Sequence, residues 1–219
     1  MDLLKFVLFS LLEYFASFVF ILIQFRFSLK ENISKILLIS ILLSFVSYSF
    51  IQADLRGISS LIQTLIFFMY IYHVMKVSIV NSIIMVMTGY IVLGLVQTCI
   101  VAILSHADII QGELVVGETI TYSVQVLSSV VVLVLSFLTY YFKGGFSFVE
   151  SNSRFSKNTF KGKNFWFVIV LSFIFTITII TNIVLLNSTE PPYLGVAIVL
   201  LVNLLLFFYV TFRRDENYD

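Results

Sequence analysis

Glu13 stands in the middle of an otherwise apolar run, in the stretch Ser10-Leu11-Leu12-Glu13-Tyr14-Phe15-Ala16. Gln63, Gln97, Gln125 and Asn182 are placed in the same way, each inside a separate apolar run. A carboxylate and four carboxamides can hold a ligand by charge and hydrogen bonds, and in hydrocarbon each is costly unless satisfied inside a helix bundle. Two readings stand side by side. Either the five line one outward-opening, ligand-binding pocket, or each makes a helix–helix hydrogen bond worth about 1 kcal/mol and serves assembly alone. A charged carboxylate at mid-membrane costs about 2.5–3.5 kcal/mol on insertion scales, so Glu13 is expected to face the bundle and to be protonated or meet a donor. Lys5 lies about 12 Å away along the helix axis, too far for a direct pair. The partner must therefore come from another helix, with Gln97, Gln125 and Asn203 the candidates by depth.

Other chemistry is sparse. The chain contains no HExxH, no GxSxG and no glycine-rich phosphate loop. Its two histidines, His73 and His106, fall at opposite predicted faces, so neither a metal site nor a cofactor is expected. The single cysteine, Cys99, has no disulfide or CxxC partner. A membrane cysteine peptidase would need Cys99 in contact with His106, because a base must lie within hydrogen-bond reach of the thiol; buried packing is the expected role of Cys99 and no enzyme is expected.

The elements that position these residues follow from composition. The 219 residues are 60% hydrophobic and only 11% charged, with a mean hydropathy of +1.07, far from the pattern of soluble domains. Runs long enough to cross about 30 Å of hydrocarbon as helices fall at 3–25, 34–51, 58–75, 77–104, 119–142, 164–186 and 193–212. The fold class is thus an all-α, polytopic membrane helix bundle, a single domain over 1–219 with seven transmembrane helices. A six-helix alternative would lose the third or fourth. Those two are split only around His73 and Lys76, but fusing them would give a run too long for one crossing. The first run is longer than a signal-peptide core and shows no cleavage site, so it is expected to be retained. Gly89 and Gly94, five residues apart, do not form a GxxxG pairing motif.

Seven crossings place Arg26, Lys30, Lys35, Lys76, Lys143, Arg154, Lys157, Lys161, Lys163, Arg213 and Arg214 on one side and only Lys5 and Arg56 on the other. The positive-inside rule then puts the amino terminus outside and the carboxyl terminus in the cytoplasm of a cell membrane. The basic inner loop, 143–163, reads as a flexible linker on anionic headgroups, or as a docking site for a cytoplasmic partner, with Lys143, Arg154, Lys157, Lys161 and Lys163 as the contacts. The net charge of +1 gives no nucleic-acid footprint.

Short loops, an outer amino terminus and an exit from the seventh helix through Tyr209-Val210-Thr211-Phe212-Arg213-Arg214 resemble the transmembrane sensor region of peptide-pheromone, accessory-gene-regulator-like quorum-sensing histidine kinases of Gram-positive bacteria. That resemblance implies an extracellular peptide ligand, a homodimer and a bacterial plasma membrane. After Arg214 only five residues remain, with no phospho-accepting helix or ATP-binding domain, so signal transduction would run through a membrane or cytoplasmic partner. The expected function is a receptor-like or regulatory membrane protein; the alternatives are a small transporter or transporter subunit, or a bacteriocin-immunity-type protein.

Overall fold

A computed structural model describes residues 2–53, 55–107, 109, 118–147, 149 and 192–215, together with 169, 170, 172–174, 176, 177, 180 and 181; the side chains of 56–58, 214 and 215 are outside this description. Six helices have described bounds: α1 (Leu3–Gln24), α2 (Leu29–Gln52), α3 (Arg56–His73), α4 (Ile79–His106), α5 (Thr119–Tyr141) and α6 (Tyr193–Asp215). The described residues between 169 and 181 are helical as well, and no strand occurs among the described residues. Five of the helices, α1, α2, α4, α5 and α6, are long and apolar enough to cross a membrane. The third, α3, is 18 residues long and carries Gln63 and three hydroxyl side chains at Ser59, Ser60 and Thr64.

Helix boundaries follow local chemistry. Asp2 caps α1 by accepting from the Leu4 backbone N–H at 3.2 Å, which satisfies one of the free donors of the first turn. The helix expected over 34–51 begins earlier, at Leu29, because Ser28 occupies the extended N-cap position and Glu31 sits in the first turn, where the helix dipole favours an acid. The third and fourth helices are separate, as the length of the combined run required. At the turn between them Lys76 adopts φ 55°, and Arg26 after α1 and Lys143 after α5 adopt φ 56° and 52°. After α1, the Phe27 N–H reaches back to Leu22 O at 2.8 Å, and after α5 the Gly144 N–H reaches Thr139 O at 2.9 Å. Both are Schellman closures with a cation where glycine is usual, and a cation there also complements the negative helix end.

Side-chain contacts fix the helix directions. Along α1, Tyr14 meets Gln63 and Phe18 meets Phe67 and Tyr70, so α3 runs parallel to it. Phe6 pairs with Tyr48, while Glu13 pairs with Gln97 and Ile21 lies against Gly89, so α2 and α4 run antiparallel to α1. Arg26 donates to the carbonyls of Lys143 and Gly144, which brings the carboxyl ends of α1 and α5 together. Phe146, fully buried, packs on Phe25, Phe208 and Phe212, which places the carboxyl end of α6 there too. Lys143 and Tyr193 therefore stand at opposite ends of the bundle.

The core centres on α1 and α4. Helix α1 packs on α2, α4 and α5, and α4 on α1, α3, α5 and α6. On α1, α2 and α5 many of the buried positions are serines: Ser10 and Ser17 on α1, Ser40, Ser44 and Ser47 on α2, and Ser128, Ser129 and Ser136 on α5, beside apolar residues such as Leu43 and Val132. Small residues let helix backbones approach closely when lipid removes any hydrophobic incentive to associate. Four of these eight hydroxyls donate within their own helix, among them Ser44 to Ser40 O at 2.8 Å and Ser136 to Val132 O at 2.7 Å. The loop after α5 does not begin as a free linker. Gly145 and Phe146 tuck beneath α1, with the Phe146 N–H donating to Gln24 O at 2.7 Å.

Candidate functional site

Glu13 finds its donor on α4: Gln97 Nε2 donates to Glu13 Oε1 at 2.9 Å. The Gln125 side chain of α5 also interacts with the same carboxylate. One helical step on, the Tyr14 hydroxyl donates to Gln63 Oε1 at 2.7 Å, and Gln63 Nε2 donates to Ser59 Oγ at 2.6 Å. Ser47 of α2 hydrogen-bonds Tyr14, and Ser60 of α3 hydrogen-bonds Tyr90 of α4. The result is a network of polar side chains from five helices around Glu13 and Tyr14.

Inside this network is a cavity of about 200 Å³. Its polar lining includes Glu13, Tyr14, Ser17, Gln63, Tyr90 and Gln97, with Ser60 and Thr64 beside them, and Phe67, Gly89 and Gly94 contribute to its walls. Glu13 and Ser17 are four residues apart on α1, so they share a helical face, one turn above the other. Ser17 is 4% exposed and its Oγ has no hydrogen-bond partner. This sets it apart from Thr64, Thr88 and Thr98, each of which donates to the carbonyl four residues earlier. Among the described residues no lysine, arginine or histidine lines the cavity. The ion pair formed among the described residues is Lys5–Asp2, at 4.0 Å on the exposed first turn of α1.

The two glycines of α4 have opposite roles. A Cβ on Gly89 would collide with Ile21, which is buried, whereas a Cβ on Gly94 would meet nothing within 4 Å. Gly89 thus sets the approach of α4 to α1, and Gly94 leaves the cavity open. Gly89→Ala is expected to destabilise the bundle by about 1–2 kcal/mol through overpacking, while Gly94→Ala leaves stability unchanged or raises it by about 0.5–1 kcal/mol through helix propensity. Thermal midpoints of the two purified variants in the same detergent test the contrast, and equal shifts would refute it.

Of the five residues singled out in the sequence, Glu13, Gln63 and Gln97 line the cavity, and Gln125 reaches it only through Glu13. Asn182 lies outside the described residues, as do Arg154, Lys157, Lys161 and Lys163 of the basic loop; Lys143 is exposed at the end of α5. Asn203 does not reach Glu13 in any described contact; it is buried on α6 with its Nδ2 unpartnered. Cys99 packs against Leu95, Val196 and Leu200 at the contact of α4 with α6. Tyr14, Ser17, Ser60 and Tyr90 are the residues that sequence reasoning missed. For Ser17 and Ser60 the signal is helical register, four positions after Glu13 and three before Gln63, whereas Tyr14 and Tyr90 carry no such register signal.

Comparison of the chain with protein-family models, with curated proteins and with solved structures gives no match.

Proposed function

We propose that the chain is a receptor-like integral membrane protein that takes a small part of an extracellular ligand, in the manner expected of a peptide-sensing bacterial protein, into the cavity around Glu13. The observation that carries this reading is the convergence of Glu13, Gln63 and Gln97, from three helices, on one cavity that also contains an unpartnered serine hydroxyl. The bonds from Gln97 to Glu13 and around Gln63 join the helices, and assembly alone would not require a cavity among them. The volume suits a group of a few heavy atoms, well below the 300–1,000 Å³ of pockets that engulf drug-sized ligands.

Seven crossings, with the amino terminus outside and the carboxyl terminus cytoplasmic, are part of the proposal. Two things support them: the eleven-to-two division of basic residues and the opposite placement of Lys143 and Tyr193, which requires the chain between them to return the length of the bundle. Beyond the cavity, toward the Arg26 end, Phe18, Ile21, Tyr70, Ile71 and Met85 form a continuous apolar cluster. That plug favours binding over passage of a solute, hence a receptor over a transporter. Signalling would run through a second copy or a partner at the 143–163 loop, which Phe146 joins to α1 and α6.

Substituted-cysteine labelling tests the reading. In a Cys99→Ser background, Ser17→Cys is expected to react when intact cells are treated from outside with either of two membrane-impermeant reagents, 2-(trimethylammonium)ethyl or 2-sulfonatoethyl methanethiosulfonate. Adding Gly94→Leu, which fills the cavity, is expected to return labelling to the level of Cys99→Ser alone. No labelling by either reagent, or labelling indifferent to Gly94→Leu, would overturn the pocket.

A further inference from the structure

The cavity is charged in only one sense. Among the described residues its lining holds one carboxylate, Glu13, and no lysine, arginine or histidine, and Glu13 has no cation partner. Gln97 and Gln125 supply amide donors to Glu13, yet an amide carries no net charge, so the hydrogen bonds leave the carboxylate's charge unbalanced. A carboxylate has about four acceptor positions and these two donors occupy only part of them. What the cavity lacks is a cation with N–H groups.

The other lining groups complete the requirement. The Tyr14 phenol spends its proton on Gln63 and so faces any further partner as an acceptor. Ser17 Oγ, buried and unpartnered, is a second acceptor one turn from Glu13. Gln125 Oε1, behind Glu13, is buried with no partner as well. Tyr14, Phe67 and Tyr90 add aromatic rings around the same space, and ring faces attract organic cations. A carboxylate, neutral oxygen acceptors and aromatic rings together match a primary ammonium, which brings one positive charge and three donors. A bare metal ion would gain nothing comparable from three rings, and an anion would meet Glu13 without a counter-charge.

We propose that the cavity binds the ammonium group of its ligand, the amino terminus or a lysine side chain of a peptide, or a small primary amine, with Glu13 as counter-ion and Ser17 and Tyr14 as acceptors. This deepens the receptor reading and rests on the same cavity.

The test uses Ser17→Cys in the Cys99→Ser background, purified into lipid nanodiscs, so that access from a particular side of the membrane plays no part. Reaction rates are measured with 2-aminoethyl, 2-sulfonatoethyl and methyl methanethiosulfonate, each divided by its rate with free 2-mercaptoethanol. The ammonium reagent is expected to exceed the sulfonate by about tenfold or more, because a unit charge within a few ångströms of Glu13 in a low-dielectric site gains several times thermal energy. Glu13→Gln, which keeps the shape and can still accept from Gln97, is expected to remove most of that preference. If Glu13→Gln does not fold, protection decides: n-propylammonium chloride is expected to slow the methyl reagent and sodium butyrate is not. Reaction with the methyl reagent but no preference for the ammonium, together with no protection by n-propylammonium, would overturn the ammonium site and leave the pocket standing. Failure of external labelling in cells would remove the receptor reading instead.

Discussion

Gly145→Ala is expected to destabilise the protein by about 3 kcal/mol, whereas Gly144→Ala, one residue earlier, is expected to change stability by less than about 0.5 kcal/mol. Gly145 adopts φ +97°, a conformation that carries a penalty of about 1–2 kcal/mol for a residue with a Cβ. That Cβ would also lie 2.6 Å from Gln24 O and 3.1 Å from Ile23 O, backbone atoms at the end of α1 that cannot rotate away. Relief by shifting the loop would break the 2.7 Å bond from the Phe146 N–H to Gln24 O and lift Phe146 out of its site against Phe25, Phe208 and Phe212. A Cβ on Gly144 meets Thr139 only at 3.5 Å, an ordinary contact. Unfolding midpoints in mixed detergent–SDS micelles measure both variants, and Phe146→Ala, expected to cost about 3–5 kcal/mol as a buried aromatic truncation, gives the upper reference. If Gly145→Ala unfolds with Gly144→Ala and Phe146→Ala does not, the backbone position is not a fixed requirement. If all three match the parent, the loop does not clamp α1 to α6.

This clamp also shows where sequence reading runs out. The stretch from Lys143 to Lys163 has the serine, glycine and lysine content of a linker, and composition cannot reveal that one phenylalanine in it closes the end of the bundle. Apolar run length fixes where helices stand, since hydrocarbon tolerates no unsatisfied backbone, and α1, α4 and α5 agree with their expected spans to within two residues at either end. The extension of α2 back to Leu29 was hidden because Lys30 and Glu31 read as loop charges, although an acid in a first helical turn is favourable. At the site, amides and carboxylates stood out against an apolar background, and depth alone brought Glu13 within range of Gln97. The serine seams did not stand out. A buried serine costs little when it bonds its own helix, so hydropathy gives it little weight, yet Ser44, Ser128 and Ser136 let α2 and α5 approach α1 closely enough to position Glu13. Gly94 was invisible for a related reason: its role is the space above it.

Gln97→Leu is expected to destabilise the bundle by about 2–3 kcal/mol, and Glu13→Leu combined with Gln97→Leu by less than either additive expectation, to within about 1 kcal/mol of the parent. Interhelical hydrogen bonds between neutral groups in membranes average only about 0.6 kcal/mol, because the separated helices find other partners. Glu13 is a different case. Without Gln97 it keeps only the Gln125 donor, and the described residues offer no cation to compensate. Leaving a buried charged group short of donors costs more than the bond was worth, whereas removing Glu13 and Gln97 together leaves two apolar side chains in contact and only the neutral Gln125 amide without its acceptor. Glu13→Leu alone strands the amides of Gln97 and Gln125, both neutral groups, and is expected to cost about 1–2 kcal/mol. The cycle of four proteins, followed by SDS unfolding midpoints in one detergent, therefore predicts a large favourable coupling in the double variant. Additive losses would mean that Glu13 and Gln97 act independently and that their 2.9 Å contact sets no register between α1 and α4. The same double variant separates structure from recognition. Folded but without its carboxylate, it is expected to keep the Schellman closures and the Phe146 clamp and to lose all preference for an ammonium reagent at position 17, since apolar leucines hold the helices together but cannot balance a positive charge.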